Sequence, residues 1–386
     1  MARTLKSDKL LFWATLLLVG ISVVMVYSAS AIQALDKYEL SGYVLLRQSI
    51  WAVIGVVLLL VIMRVDYHTY HRPALIWTVV GVSVLLLVAV FFFPARNHTQ
   101  RWITFGAISI QPSEFAKLAA ILFVAALLDR RMHRVNELTA VLIPVALITC
   151  GLAGLIVVEP DFGTAAVLVL VIATIVFAAG LSYRYLVGAG VILVPVALAL
   201  ILGSSYRRRR LFAFLDPWSD PLGDNFQLIQ SLIAIGSGGP LGTGLMAGIQ
   251  KLYYLPYAHT DFIYAVAGEE LGLFGTGLIL ICFAIMGWRG LRASLLAPDR
   301  FGSLLALGLT MMVLLQALVN MSVVLGLLPT KGIPLPFVSN GGSSLVINLV
   351  AMGILLNISQ QSSPTAKASA ATSGRRCLVS CRTGWG

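Results

Sequence analysis

Apolar stretches of near membrane-spanning length recur ten times along this chain of 386 residues. A span needs about 20 mostly apolar residues, and within lipid the backbone must satisfy its own hydrogen bonds, so such runs read as helices. The runs fall at 10–28, 46–63, 74–93, 114–128, 138–157, 163–180, 186–202, 262–288, 304–327 and 344–358. Runs four and ten are short and can extend through their flanks. The expected fold is an all-α polytopic membrane protein, with about ten transmembrane helices and a long extracytoplasmic loop between helices 7 and 8. Composition agrees: 59% of residues are hydrophobic and 11% charged, against about 25% charged in a soluble domain. That excludes an ordinary soluble enzyme, a disordered protein and a basic nucleic-acid-binding domain.

An even number of spans puts both termini on one side, and the basic residues of short loops say which side. With the N-terminus cytoplasmic, 16 of the 27 Lys and Arg residues lie inside, five sit in the long loop and six remain outside. Most of the net charge of +11 is therefore topology and not a nucleic-acid surface. Residues 1–9 read as a cytoplasmic segment, 10–359 as the ten-helix domain, 203–260 as its large outer loop and 360–386 as a disordered cytoplasmic tail. The first run follows Arg3, Lys6 and Lys9 without a cleavage pattern, so it reads as a retained span. Cys150 and Cys282 lie in apolar runs, and Cys377 and Cys381 have no His nearby to complete a metal set. Within the long loop, the helical spacing of Phe226 to Ala234 predicts a short amphipathic helix.

Four segments carry chemistry. In the first, running from Arg101 to Lys117, Glu114 and Lys117 are three apart and share a helix face. They could lock the helix start, or Arg101 and Lys117 could line an anion-binding cavity, since ionisable residues in spans normally face a cavity or a partner. In the second, Glu159-Pro-Asp161, two carboxylates on a tight turn could bind a divalent cation, magnesium or manganese, but Asp161 suits a helix N-cap better. In the third, Asp261 stands beside His259 where the long loop meets span eight, as either an N-cap or a carboxylate base. Glu269 and Glu270 lie two to three turns deeper. In the fourth, Leu328-Pro-Thr-Lys331-Gly-Ile-Pro-Leu-Pro-Phe337, the prolines predict a re-entrant turn. Lys331 there points to anion binding, and Ser343 and Ser344 lead into a helix whose first amides could hold a phosphate.

Taken together the segments resemble the SEDS family of bacterial cell-wall polymerases. The resemblance rests on Gln111-Pro-Ser-Glu114 with Lys117, Glu159-Pro-Asp-Phe-Gly163, Phe214-Leu-Asp-Pro-Trp218, His259-Thr-Asp-Phe-Ile263 with Gly268-Glu-Glu-Leu-Gly272, and Pro329 to Phe337 with Gly341-Gly-Ser-Ser344. The Pro-Thr-Lys-Gly form looks more like the FtsW (division) branch than the RodA (elongation) branch. The resemblance implies a peptidoglycan glycosyltransferase that joins lipid II units at the outer face of the cytoplasmic membrane. Asp261 would be its general base and undecaprenyl pyrophosphate its leaving group. It also implies that Arg101, Lys117 and Lys331 bind pyrophosphate, with Lys251 and the Arg207–Arg210 run guiding head groups. Glu114, His259 and Ser343 complete the implied substrate contacts. A class B penicillin-binding protein, other division or elongation proteins and membrane lipids are the implied partners. No cofactor is implied with certainty, and a divalent cation stays open.

The chain departs from the family pattern at Tyr257, Asn340 and Gly244-Leu-Met-Ala-Gly248. Two other functions compete: a lipid II flippase, whose charges would line a path to both faces, and a non-catalytic scaffold for a penicillin-binding protein. The clustering of candidate residues on one face favours the polymerase.

Overall fold

A computed structural model describes residues 8–361, apart from 95–99, 106–107, 219–220, 222, 224 and 253. The readings made of Arg3, Lys6, the tail beyond 361 and its two cysteines lie outside the described residues. Twelve α-helices follow one another: α1 (Lys9–Tyr38), α2 (Tyr43–Ile62), α3 (Pro73–Ala89), α4 (Pro112–Arg130), α5 (Ile143–Val158), α6 (Phe162–Ala178), α7 (Tyr183–Leu202), α8 (Ser205–Leu215), α9 (Phe226–Gly238), α10 (Ile263–Leu296), α11 (Arg300–Val324) and α12 (Gly342–Gln361). Ten of them, all but α8 and α9, coincide with the ten apolar runs. Eight are long and apolar enough to cross a membrane. Of the other two, α6 is apolar but has 17 residues. Helix α4 carries Glu114, Lys117, Asp129 and Arg130 and is buried over most of its surface. The protein is a multi-pass membrane protein.

Local chemistry sets the helix starts. Asp8, Asp161 and Asp299 cap α1, α6 and α11 by accepting from the N–H of Leu11, Thr164 and Gly302. Pro73 and Pro112 open α3 and α4, where a missing N–H costs nothing. The middle of the bundle is α4, packed against α3, α6 and α11, with α12 lying along α2 and α11 along α10.

Contacts gather one set of helix ends together. Asp8 pairs with Arg289 at 2.5 Å, His71 with Asp129 at 3.2 Å, and the Tyr67 hydroxyl donates to Asp299. The Asn357 side chain accepts from the Tyr67 N–H at 3.0 Å. The start of α1, the turns after α2, α4 and α10, and the end of α12 therefore share one end of the bundle.

Three features differ from the sequence reading. Residues Ile103–Phe105 and Ile108–Ile110 form an antiparallel hairpin, β1 and β2, which is too short to show as a periodic pattern. The long loop holds two helices, α8 as well as α9. Helix α8 escapes hydropathy because its first turns are Arg207 to Arg210. Helix α1 runs ten residues past its apolar stretch, to Tyr38.

Helix α10 breaks at Gly272, whose φ of 64° and ψ of −158° interrupt the helical ladder. The glycine-rich segment 238–244 fills the break. Thr243 N–H donates to the Glu269 carbonyl at 2.9 Å and Gly244 N–H to that of Glu270 at 3.0 Å, while Leu273 N–H donates to the Gly239 carbonyl at 3.0 Å. Backbone groups freed by the kink are thus met by backbone, as a low-dielectric setting demands. Side chains would not fit: a Cβ on Gly242, itself at φ +80°, would lie 2.2 Å from the Glu270 carbonyl oxygen. Gly242→Ala should therefore destabilise the fold by about 1–3 kcal/mol. Thermal unfolding in detergent checks this, and an unchanged melting temperature would refute the backbone-on-backbone packing.

Candidate functional site

The segment between α11 and α12 is non-helical over residues 325–341. It threads into the bundle, with Ile333, Leu335 and Phe337 buried. Its carbonyls need donors, and α11 supplies them from residues four apart on one face. Asn320 Nδ2 donates to the Ile333 carbonyl at 2.7 Å and to the Asp261 carbonyl at 2.8 Å. Gln316 Nε2 donates to the Pro334 carbonyl at 3.1 Å. Ser339 Oγ donates to the Thr260 carbonyl at 2.6 Å, and the Asn340 N–H to that of His259 at 3.0 Å. The segment and residues 259–261 are thereby held as one unit.

That unit places Asp261. It does not cap α10, whose N-cap is Phe262 without a side-chain bond. Its carboxyl instead lies across Gly332 from Arg101: a Cβ on Gly332 would sit 2.9 Å from Asp261 Oδ2 and 3.1 Å from Arg101 Nη2. Glycine is what leaves room for the carboxyl and the guanidinium together at the place a Cβ would take. Arg101, just before β1, donates from Nη1 to the Gly332 carbonyl at 3.2 Å and stands 4.0 Å from Asp161. Burial pushes the Asp261 carboxyl up to about 6; Arg101 and Arg210 pull it down, and Asp161 adds to the rise. Such a group is a carboxylate at neutral pH yet more basic than an ordinary aspartate.

Lys331 lies over the Phe162 ring, with Nζ 4.1 Å from its centroid. Burial lowers its ammonium to about 8; Asp161 opposes the fall, while Arg207 and Arg210 deepen it. Arg210, from α8, donates to the Thr330 carbonyl at 3.1 Å. The structure thus gathers Asp261, Arg101 and Lys331 with Asp161, Arg207 and Arg210 around residues 330–333, at the bundle end opposite Asp8 and Asp299.

The other sequence candidates are engaged elsewhere. Lys117 is 1% exposed, and its ammonium is held by Glu114 at 2.8 Å and Gln316 at 2.5 Å. Lys251 is buried against Glu270 at 2.5 Å and donates to Ser28 at 2.9 Å. Glu270 and Glu269 also accept from the N–H groups of Met246 and Ile249, pinning the glycine-rich loop to α10. Ser343 Oγ accepts from the Gln111 N–H at 3.1 Å, joining the start of α4 to that of α12. His259 is held near the site through its backbone, and its imidazole is kept in the neutral form by burial and by Lys37.

A divalent cation fits these residues poorly. Asp161 spends its oxygens on Thr164 N–H at 3.2 Å, Thr164 Oγ1 at 2.8 Å and Gln111 Nε2 at 3.2 Å. Glu159 is sealed at 0% exposure, with its carboxyl pushed up to about 8 by burial and then by Asp161, and so is neutral at pH 7. Among the described residues no three His, Cys, Asp or Glu side chains converge as a metal site.

Gly332, Asn320 and Gln316 were not among the sequence candidates. The two amides had a signal: polar residues four apart inside an apolar span. Gly332 had none, because its role depends on what approaches it.

The Glu114–Lys117 pair generates a prediction. Lys117→Met leaves a buried carboxylate unpaired and should cost about 3–5 kcal/mol, whereas Glu114→Gln with Lys117→Met should recover most of that. Unfolding midpoints of the two variants decide it; a double variant as unstable as the single would show that the pair is not the main partner of either charge.

The model of the FtsW/RodA/SpoVE family, described as cell cycle protein, matches residues 9–364. The chain is 43% identical over 341 residues to the probable peptidoglycan glycosyltransferase FtsW of Geobacter metallireducens, covering 87% of this chain and 90% of that protein. It is 43% identical over 356 residues to the stage V sporulation protein E of Bacillus subtilis, covering 92% and 97%. Among solved structures it superposes on a chain of a peptidoglycan synthase complex with a TM-score of 0.76, at 31% identity, over 93% of this chain and 99% of that one. On the rod shape determining protein RodA of Thermus thermophilus the TM-score is 0.68 at 26% identity, over 93% and 98%. Matched over nearly its whole described length, the chain belongs to the FtsW/RodA/SpoVE family.

Proposed function

We propose that the protein is a peptidoglycan glycosyltransferase that polymerises lipid II into glycan strands, acting in cell division. One observation carries the mechanism: a basic carboxylate, Asp261, set across Gly332 from the Arg101 guanidinium at one end of the bundle. Asp261 accepts the proton of the acceptor sugar's 4-hydroxyl as that oxygen attacks the donor's anomeric carbon. The bond from that carbon to the pyrophosphate oxygen breaks, and undecaprenyl pyrophosphate leaves. Negative charge grows on the leaving oxygen, and fixed cations in a water-poor cleft stabilise it there. Arg101 and Lys331 are placed for this.

The ten-helix domain 10–359 acts as one unit, with loop 203–260 over its catalytic end. That end faces outward and both termini face the cytoplasm, because the opposite end carries the short basic loops. The gathering of charge around residues 330–333 supports surface chemistry over a flippase path. A class B penicillin-binding protein is the partner, in keeping with the synthase complex that the fold resembles. The tail after residue 360 and the segment before residue 10 are cytoplasmic extensions.

Asp261→Asn should abolish glycan synthesis from purified lipid II in the presence of the partner, with the unfolding midpoint retained. Full activity in that variant would leave the protein as a scaffold. The pH profile gives a second test. The base works as the carboxylate, so kcat/KM should rise as pH climbs through about 6. The leaving group is held by the ammonium, so the rate should fall above about 8. Lys331→Arg, charged throughout that range, should extend the plateau upward while leaving the acid limb in place; a profile with no acid limb would contradict Asp261 as base.

A further inference from the structure

Three consecutive residues at the start of α6 each meet a different part of the site. Asp161 stands 4.0 Å from the Arg101 guanidinium. The Phe162 ring lies against the Lys331 ammonium, 4.1 Å from its centroid. Gly163 leaves room for the turn, since a Cβ there would lie 2.7 Å from Ile333 Cδ1 and 3.3 Å from Lys331 Cδ. Asp161 is buried, at 4% exposure. Its carboxylate accepts from the Thr164 N–H and hydroxyl within α6 and from the Gln111 side chain at the start of α4. The Gln111 N–H in turn donates to Ser343 at the start of α12. Three helix starts therefore fix this carboxylate before any substrate arrives.

Two carboxylates approach the Arg101 guanidinium: Asp261, across Gly332, and Asp161. Among the described residues only Asp161 comes within ion-pair distance. A cation paired with one carboxylate attracts the next one less, because the fields of the pair oppose each other. The titratable groups that feel the Asp161 charge come from several elements: Arg101 ahead of β1, Asp261 ahead of α10, Lys331 on the turn and Glu159 on its own turn. Helix α8 adds Arg210, which acts on Asp261 and Lys331, and Arg207, which acts on Lys331. The groups from α4 and α12, Gln111 and Ser343, are uncharged.

We propose that Asp161 is a positioning residue of the transferase site: it engages the Arg101 guanidinium from the side away from Asp261, and so keeps the base from being neutralised by its cationic neighbour. The inference rests on the glycosyltransferase reading, which makes Asp261 the base. The same charge supports the Lys331 ammonium. Removing it acts on both groups in one direction: Asp261 becomes less basic, and Lys331 gives up its proton at lower pH.

The test is the pH profile of glycan synthesis from lipid II, with the full chain and its partner present. Asp161→Asn and Asp161→Ser each keep a good helix cap and remove the charge. Both should move the acid and alkaline limbs of kcat/KM together to lower pH, by about one pH unit. Asp161→Glu, which restores a charge, should return the limbs toward their wild-type positions. Glu159→Gln alters a neighbour that is neutral at pH 7 and should leave the acid limb in place. Unmoved limbs in an active Asp161→Asn, limbs that move in opposite directions, or an equal acid-limb movement in Glu159→Gln would each overturn the proposal. So would loss of folding in both neutral variants, read from their unfolding midpoints, since the carboxylate would then serve the fold alone. Failure of the broader reading looks different: the wild type would make no glycan from lipid II at any pH.

Discussion

A stretch of backbone that is not helical, yet runs inside a helical membrane bundle, must find a partner for each polar group it buries. The 325–341 segment meets that demand by borrowing donors from α11, and the site follows from the loan. Asn320 bridges two main-chain carbonyls, one on the segment and one on Asp261, so the backbone at Asp261 is tied to the turn that carries Lys331. Gln316 extends the same face inward and meets Lys117, which in turn neutralises Glu114. A polar spine thus runs from the middle of the bundle to the cleft. Its inner members tie helices to one another, and its outer end reaches the 330–333 turn.

The same rule explains the second irregular region. The break in α10 at Gly272 frees backbone groups, and the glycine-rich loop returns them through direct main-chain bonds. Glu269 and Glu270 then reach back to the loop amides, with Lys251 and Ser28 balancing the buried charge of Glu270. The 325–341 turn, by contrast, holds residues 259–261 through their backbone carbonyls. Burial raises the basicity of the Asp261 carboxylate there, against the pull of Arg101 and Arg210.

The cations divide by function once their partners are known. Lys117 and Lys251 are each bound by a buried carboxylate, Glu114 and Glu270. Arg101, Lys331 and the inward arginines of α8 gather around the 330–333 turn, where Arg101 stands 4.0 Å from Asp161.

Much of this was legible in the chain. Hydropathy marked all ten long helices, because a span must be apolar over a fixed length whatever it packs against. The motif residues Asp261, Arg101 and Lys331 stood out because ionisable groups near a membrane are expensive. Asp161 announced itself as a cap by preceding an apolar run. What the sequence could not decide is which charges face each other. Lys117 and Lys331 look alike as lone lysines in apolar surroundings, and only the fold shows one bound by Glu114 and Gln316 and the other open over Phe162. Gly332 reads as an ordinary turn glycine until Asp261 and Arg101 arrive on either side of it. The Arg207–Arg210 run reads as one basic patch until α8 turns two of the four inward. Apolar length is a property of the local chain and survives in one dimension; pairing energy depends on distances between residues hundreds of positions apart, and those exist only once the helices have packed.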